Sequence, residues 1–363
     1  MSPVKEKQNI PNGWKEGKLL DCLNVPSKLA GIKLSEYEKE GEFPVFDQGQ
    51  DYISGFSSKK DLVVDNVPAI LFGDHTRVVK YIKSPFVAGA DGTKIFWAKD
   101  GFNPTFLYYL VLNQKVPNTG YNRHFKFFKD IKVALPESKK EQQKIAEILG
   151  AVDEDIAKTQ EVIEATEKLK RGLMQQLFTH GIGHTKFKNH KLGYLCVFQT
   201  GKLNSNKAVE GGEYPFFTCS QETFAIDKYS FDQKAILLAG NNAAGNYSVK
   251  YYDGKFDAYQ QTYVISIKDE NDLSYPYLKE VLNTRLNELR DSSVGSTTKF
   301  LTLKLLLNLP ISLPPIKEQR EIAEILAVIN EKISVNKKLK EKLTLLKKGL
   351  MQDLLSGRVR TSI

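Results

Sequence analysis

Cysteine is scarce in this sequence: Cys22, Cys196 and Cys219 are the whole complement, far apart and odd in number. A disulfide framework and a zinc knuckle both need paired spacings, so neither is written here, and a reducing, cytoplasmic compartment is expected. No apolar run approaches the roughly 20 residues of a membrane span. The opening MSPVKEKQNIPNGW also lacks the apolar stretch of a signal peptide, so the chain reads as neither exported nor membrane-embedded. A phosphate loop of the form GxxxxGK[ST] is missing, since Gly201-Lys202 is followed by Leu203, which has no hydroxyl for magnesium. That excludes an autonomous P-loop motor. Asn103-Pro104 begins like an amino-methyltransferase tetrapeptide, but Thr105 stands where a second proline belongs, and no Gly-rich strand exit precedes it. Acidic residues are plentiful but scattered, without the convergence that metal-dependent nuclease chemistry requires. No catalytic residue and no cofactor is therefore assigned, and the chain reads as a non-enzyme.

What is present begins with size. At 363 residues and 41% hydrophobic composition, the chain can bury two ordinary cores. Fifty-two Lys and Arg against 43 Asp and Glu leave a formal charge of +9, which suits a polyanionic partner and serves solubility equally well.

A repeat carries more weight. Glu141 to Phe178 aligns without a gap on Glu318 to Leu355, with 17 of 38 positions identical. Both copies follow a proline-marked strand exit, VALPESKK and ISLPPIKE, and both read as long helices with the same start. The segments between repeat more loosely. GEFPVF (Gly41 to Phe46) matches GEYPFF (Gly212 to Phe217), and at that same offset Val78, Leu107 and Val111 fall on Val249, Leu278 and Leu282. In the second copy, Ala235 to Ala239 and YSVKYYDGKFDAYQQTYVISI predict strands with a hairpin at Asp253-Gly254.

The fold expected is α+β: two tandem modules, each followed by a long helix, the helices pairing as an antiparallel coiled coil. The divisions are 1–136 (first module), 137–180 (first helix), 181–190 (linker), 191–313 (second module), 314–357 (second helix) and 358–363 (tail). His180, His184 and His190 sit among glycines and lysines after a helix end, which reads as that linker rather than a metal site.

In the first helix the predicted seam is Ile145, Leu149, Val152, Ile156, then Val162, Leu169, Leu173 and Leu177. In the second it is Ile322, Leu326, Ile329, Ile333, then Leu339, Leu343, Leu346, Leu350 and Leu354. Thr159 and Asn336 interrupt the two seams, after which the next apolar residue arrives early. Thirty-eight helical residues span roughly 57 Å, longer than a small domain is wide. Paired helices of that length suit a ruler between two basic modules that read separated DNA half-sites.

LPPIKEQREIAEIL and LKKGLMQDLLSGRVR, their weaker copies after the first module, and the GE[FY]P element make nearly the whole chain resemble the specificity subunits of type I restriction-modification enzymes. The resemblance implies a target recognition domain in each half and partnership with double-stranded DNA, two methyltransferase subunits and endonuclease/translocase subunits, which carry the chemistry. Two other readings fit the same pattern: the recognition subunit of a fused nuclease-methyltransferase system, and a coiled-coil adaptor that assembles proteins without touching DNA.

Direct readout of DNA uses Arg, Lys, Asn and Gln, while hydroxyls position phosphates. In the first module the candidates are Arg77, Lys80, Thr119, Asn122, Arg123, His124 and Lys126. In the second they are Asn241, Asn242, Asn246, Tyr247, Lys250, Gln260, Gln261, Ser296, Thr297, Thr298 and Lys299. The TGYNRH and GSTTKF loops hold equivalent places before the exit strand of each module.

Overall fold

The computed structural model describes residues 10–27, 29–183, 187–243 and 245–361. The chain divides into two compact units, Met1–Gln160 with Lys338–Ile363, and Glu161–Lys337. Each long helix contributes one half to each unit.

The first unit contains β1 (Trp14–Lys18), β2 (Leu23–Asn24), β3 (Phe43–Phe46), β4 (Gly55–Ser57), β5 (Val63–Val64), β6 (Ala69–Gly73), β7 (Val79–Ile82), β8 (Phe86–Ala88), β9 (Thr93–Ala98), α1 (Pro104–Leu112), β10 (Lys132–Pro136) and the first part of α2 (Lys139–His180). Two four-stranded sheets run β2-β9-β6-β7 and β4-β3-β8-β5, and β1 pairs with β10. The strand period of two places Ile70 and Phe72 of β6 on one face, against Phe106, Leu107 and Leu110 of α1 and Ile145 and Leu149 of α2. Leu71 faces the other way, toward Phe46, Phe86 and Ile95.

The second unit contains β11 (Lys188–Lys191), α3 (Leu192–Leu195), β12 (Cys196–Thr200), β13 (Tyr214–Phe217), β14 (Phe224–Ile226), β15 (Phe231–Ala239), β16 (Asn241–Asn242), β17 (Val249–Ala258), β18 (Thr262–Ile267), α4 (Tyr275–Asp291), β19 (Lys299–Phe300), α5 (Leu303–Leu307), β20 (Pro310–Leu313) and the first part of α6 (Ile316–Leu355). Its main sheet has the order β12-β18-β15-β17-β13-β14. Ile236 and Leu238 face Tyr277, Leu278, Leu282, Ile322 and Leu326, while Leu237 faces Phe217, Phe256 and Val264. The two units thus share one plan. The unbroken β17 corresponds to β7 and β8, which Lys83-Ser84-Pro85 separates, because proline has no N–H to continue a ladder.

Three sequence expectations change here. Asp253-Gly254 is no hairpin: both residues lie inside β17, opposite Lys234 and Gln233 of β15, and the turn comes at Tyr259, whose carbonyl accepts the Thr262 N–H at 2.8 Å. A ladder of eight residue pairs outweighs one local turn signal. The linker 181–190 ends in structure, since Lys188–Lys191 is β11 and pairs with β20; His184 lies outside the described residues.

The third change concerns the helix seam. Buried and half-buried positions run 145, 149, 152, 156, 159, 163, 166, 170, 173 and 177 on α2, an unbroken alternation of fours and threes. On α6 they run 322, 326, 329, 333, 336, 340, 343, 347, 350 and 354. Thr159, Thr166, Asn336, Lys340 and Lys347 hold seam places, whereas Leu169 (56% exposed), Leu346, Val162 and Leu339 lie off the seam. The hydroxyls of Thr159 and Thr166 bond the carbonyls of Asp155 and Val162, so both fit a buried face.

Within the first unit, Asp153 meets Lys347 at 2.6 Å and Gln160 meets Lys340 at 2.7 Å, so partner numbers fall on α6 as they rise on α2 and the segments run antiparallel. Within the second, Glu167 meets Lys337 at 2.7 Å, while Glu318 accepts the N–H of Ile182, just past the end of α2, at 2.6 Å. Those segments are antiparallel as well.

Each helix is locked to its module by one glutamine. Gln142 accepts the Asn103 N–H at 2.8 Å and donates to the Pro136 carbonyl at 3.1 Å. Gln319, its counterpart in the helix repeat, accepts the Ser274 N–H at 3.0 Å and donates to the Pro314 carbonyl at 3.0 Å.

Burial pushes the Cys22 thiol up to about 11, with Asp21 adding to the shift, and the Cys196 thiol up to about 12, because a desolvated thiolate is disfavoured. Iodoacetamide at pH 8 should therefore label the half-buried Cys219 first, and Cys22 and Cys196 only on unfolding. Mass spectrometry of native and denatured protein checks this, and rapid native labelling of all three would contradict the buried assignment.

Candidate nucleic-acid interface

In the first unit, four loops meet at the end of β6. The turn from Gly73 to Val78 is bound to the loop after β3, where Gln48 accepts the His75 N–H at 3.0 Å and its carbonyl accepts the Thr76 hydroxyl at 2.6 Å. It is bound to the β8–β9 loop by the Asp74 N–H on the Gly92 carbonyl at 2.7 Å. It is bound to the TGYNRH loop by His124, whose backbone N–H and ring Nδ1 both lie 2.8 Å from the Asp74 carbonyl, and by the Phe125 N–H on the Asp74 carboxylate at 2.7 Å. Tyr121, 81% exposed, stacks on His75 with ring centroids 4.5 Å apart. Its second face is open.

The second unit repeats the construction with other residues. β16 pairs with β19, which ties Asn241 and Asn242 to Phe300 and Lys299 of the GSTTKF loop. Asn242 accepts the Asn246 N–H at 3.1 Å, and the Gly240 N–H reaches the Gln261 carbonyl at 2.8 Å. The Ser248 hydroxyl donates to the Ser220 carbonyl at 3.2 Å, bringing in the loop after β13. The TGYNRH and GSTTKF loops follow α1 and α4 and precede β10 and β20, which are equivalent places.

Most candidates belong to these two clusters, with different exposure. Thr119, Asn122, Arg123, Lys126, Asn246, Gln260, Ser296 and Thr297 are exposed, while Arg77, Asn241, Asn242, Gln261, Thr298 and Lys299 are half-buried. Arg77 adopts φ 64°, uncommon for a side-chain-bearing residue, and its guanidinium donates to the Val116 carbonyl at 3.4 Å. Four candidates are corrected. His124 is fully buried as the brace of its loop, and Tyr247 is 3% exposed. Lys80 is 3% exposed, donates to the Asp51 carbonyl and lies 3.9 Å from the Asp47 carboxylate. Lys250 spans to the carbonyls of Ser220 at 3.1 Å and Glu222 at 2.5 Å. Loop composition cannot distinguish an exposed cation from one turned inward to hold a neighbouring loop.

Asn103-Pro104 also finds its explanation. Asn103 caps α1, accepting the Phe106 N–H at 3.0 Å, and Pro104 opens the helix; Ser274 caps α4 in the same way. The sequence reading missed Tyr121 and the loops after β3 and β13, which contain no arginine or lysine to attract notice.

The family described as type I restriction modification DNA specificity domain matches residues 11–167 and again 185–345. A type I restriction enzyme specificity subunit of Escherichia coli is 35% identical over 173 residues, 47% of this chain and 37% of that protein. One of Methanocaldococcus jannaschii is 24% identical across 97% of this chain and 94% of its own length. Among solved structures, the type I restriction-modification S subunit of M. genitalium superposes with a TM-score of 0.73 at 18% identity, covering 97% of this chain and 98% of that one. At that identity the likeness speaks for the fold.

Proposed function

Because the chain belongs to the type I restriction modification DNA specificity family, in two copies, we propose that it is a non-catalytic cytoplasmic subunit that reads a bipartite DNA target, one half-site per unit, and directs methyltransferase and endonuclease subunits to it. The observation that carries this reading is the matched pair of loop clusters at the same end of the same fold, each gathering exposed amides and hydroxyls beside a cation, exposed Arg123 and Lys126 in one and half-buried Lys299 in the other. Amides and guanidinia address base edges, and hydroxyls and lysines hold phosphates. The relatives' names as specificity subunits support the assignment, and the absence of a phosphate cradle in the sequence fits chemistry supplied by partners.

A genome-wide map of methylated bases, made with this gene and its methyltransferase expressed together, tests it. A two-part motif with an unread spacer is expected. A map without any motif, and binding without steep salt dependence, would instead favour the assembly adaptor. Arg123→Ala should weaken only one half of the motif and Lys299→Ala only the other, each about tenfold. Both helices continue from one unit into the other, so deleting one heptad from each removes roughly 10 Å of helix. The selected spacer should then shorten by about three base pairs while both half-sites persist. An unchanged spacer would refute the helices as its ruler.

A further inference from the structure

Lys80 and Lys250 occupy the same place in the two units. Lys80 pairs with Leu71 across β6 and β7, and Lys250 with Leu237 across β15 and β17. Each reaches the loop that follows the parallel-paired strand, β3 or β13. Lys80 donates to the Asp51 carbonyl, and Lys250 to those of Ser220 and Glu222. Asp51 and Glu222 are themselves equivalent positions, separated by the offset that relates GEFPVF to GEYPFF.

The loops themselves differ in sequence and in length, DQGQDYIS between β3 and β4 against TCSQET between β13 and β14. Three things persist: the inward lysine, the carbonyl it holds and an exposed glutamine immediately before that carbonyl, Gln50 or Gln221. Taking an ammonium out of water is costly, and burial holds both lysines below the usual range. A methionine would fill the same space without that cost. The charge is repaid through charge-assisted bonds to backbone carbonyls, so it fixes loop shape. Both loops adjoin the candidate surface, through Gln48 on His75 and Thr76 in one unit, and through Ser220 on Ser248 in the other.

We propose that the loops after β3 and β13 are base-reading elements presenting Gln50 and Gln221 to an adenine edge, and that Lys80 and Lys250 are the positioning residues that hold them. The proposal rests on the DNA-reading function above. A carboxamide places a donor beside an acceptor, the complement of adenine N6 and N7 in the major groove. Building this arrangement twice from dissimilar loops ties it to a task common to both units.

The full chain, purified with its co-expressed methyltransferase, is selected against a duplex library randomised across both half-sites. Gln50→Ala should lose about tenfold discrimination at one adenine of one half-site, and Gln221→Ala at one adenine of the other. The salt dependence should not move, because no phosphate contact is removed. Lys80→Met should relax the same position as Gln50→Ala; a purely structural lysine would lower binding to all sequences alike. Because the two glutamines are exposed, their variants report even if Lys80→Met fails to fold. Unchanged base preference in both glutamine variants overturns this inference and leaves DNA reading intact. A wild-type complex that selects no sequence overturns the DNA-reading function, and this inference with it.

Discussion

Replacing Arg360 by alanine should destabilise the first unit, although the residue lies in the segment that reads as a tail. Its guanidinium is bidentate to Glu141, at 2.6 and 2.9 Å, and donates to the Asn12 carbonyl at 2.7 Å. Glu141 is 1% exposed at the start of α2. Removing the guanidinium leaves a buried carboxylate without its counter-charge, which destabilises the folded state. The Arg360 side chain is 40% exposed, so water screens part of the interaction and lessens the loss. The midpoint of thermal unfolding should drop by a few degrees. Glu141→Gln in the Arg360→Ala background should recover part of the loss, since a neutral amide needs no counter-charge. A melting curve that Arg360→Ala leaves unchanged would remove the clamp from the account.

That clamp marks where the sequence stops being legible. The duplication, the two long helices and the proline-marked exits could be read because they are periodic or local signals. The seam phase could not, since Leu169 and Leu346 look like core residues while Thr159 and Thr166 satisfy their hydroxyls on the preceding turn and go inside. The loop clusters were legible as a set, through Asn, Arg, Thr and Gly between strands. Their members were not. His124, Lys80 and Lys250 are polar groups turned inward to hold neighbouring loops, and the partners that receive them lie 28 to 50 residues away in the chain. Asp253-Gly254 fails for the same reason, its local preference yielding to pairing with β15.

Asn330→Asp should cost the second unit about 2 to 3 kcal/mol, and the first unit supplies the repair. Asn330 donates to Glu280 at 3.4 Å, and Glu280 is buried with Lys279 3.5 Å away. The equivalent positions in the first unit are Asp153 and Tyr109, where the tyrosine hydroxyl donates to the carboxylate at 2.7 Å. Burial, with Asp153 beside it, holds that hydroxyl protonated well above the ordinary tyrosine range, so it remains a donor. Each module therefore meets its own helix through one acid and one neutral donor, with the acid on opposite sides in the two units. Asn330→Asp puts an acid on both sides: a buried acceptor loses its donor and gains a like charge at contact distance, worth about 4 kcal/mol at an effective dielectric near 20 before relaxation. In this variant the folded state binds a proton more readily than the unfolded chain, so its deficit should shrink as pH falls. Adding Glu280→Tyr recreates the tyrosine-aspartate pair, and the double variant should be more stable, by about 1 kcal/mol or more, than the two single losses predict. Additive losses in a denaturant cycle would show that the two pairs do not act as matched partners. A coupling of that size would mean that a module transplanted onto the other helix must bring its partner residue with it.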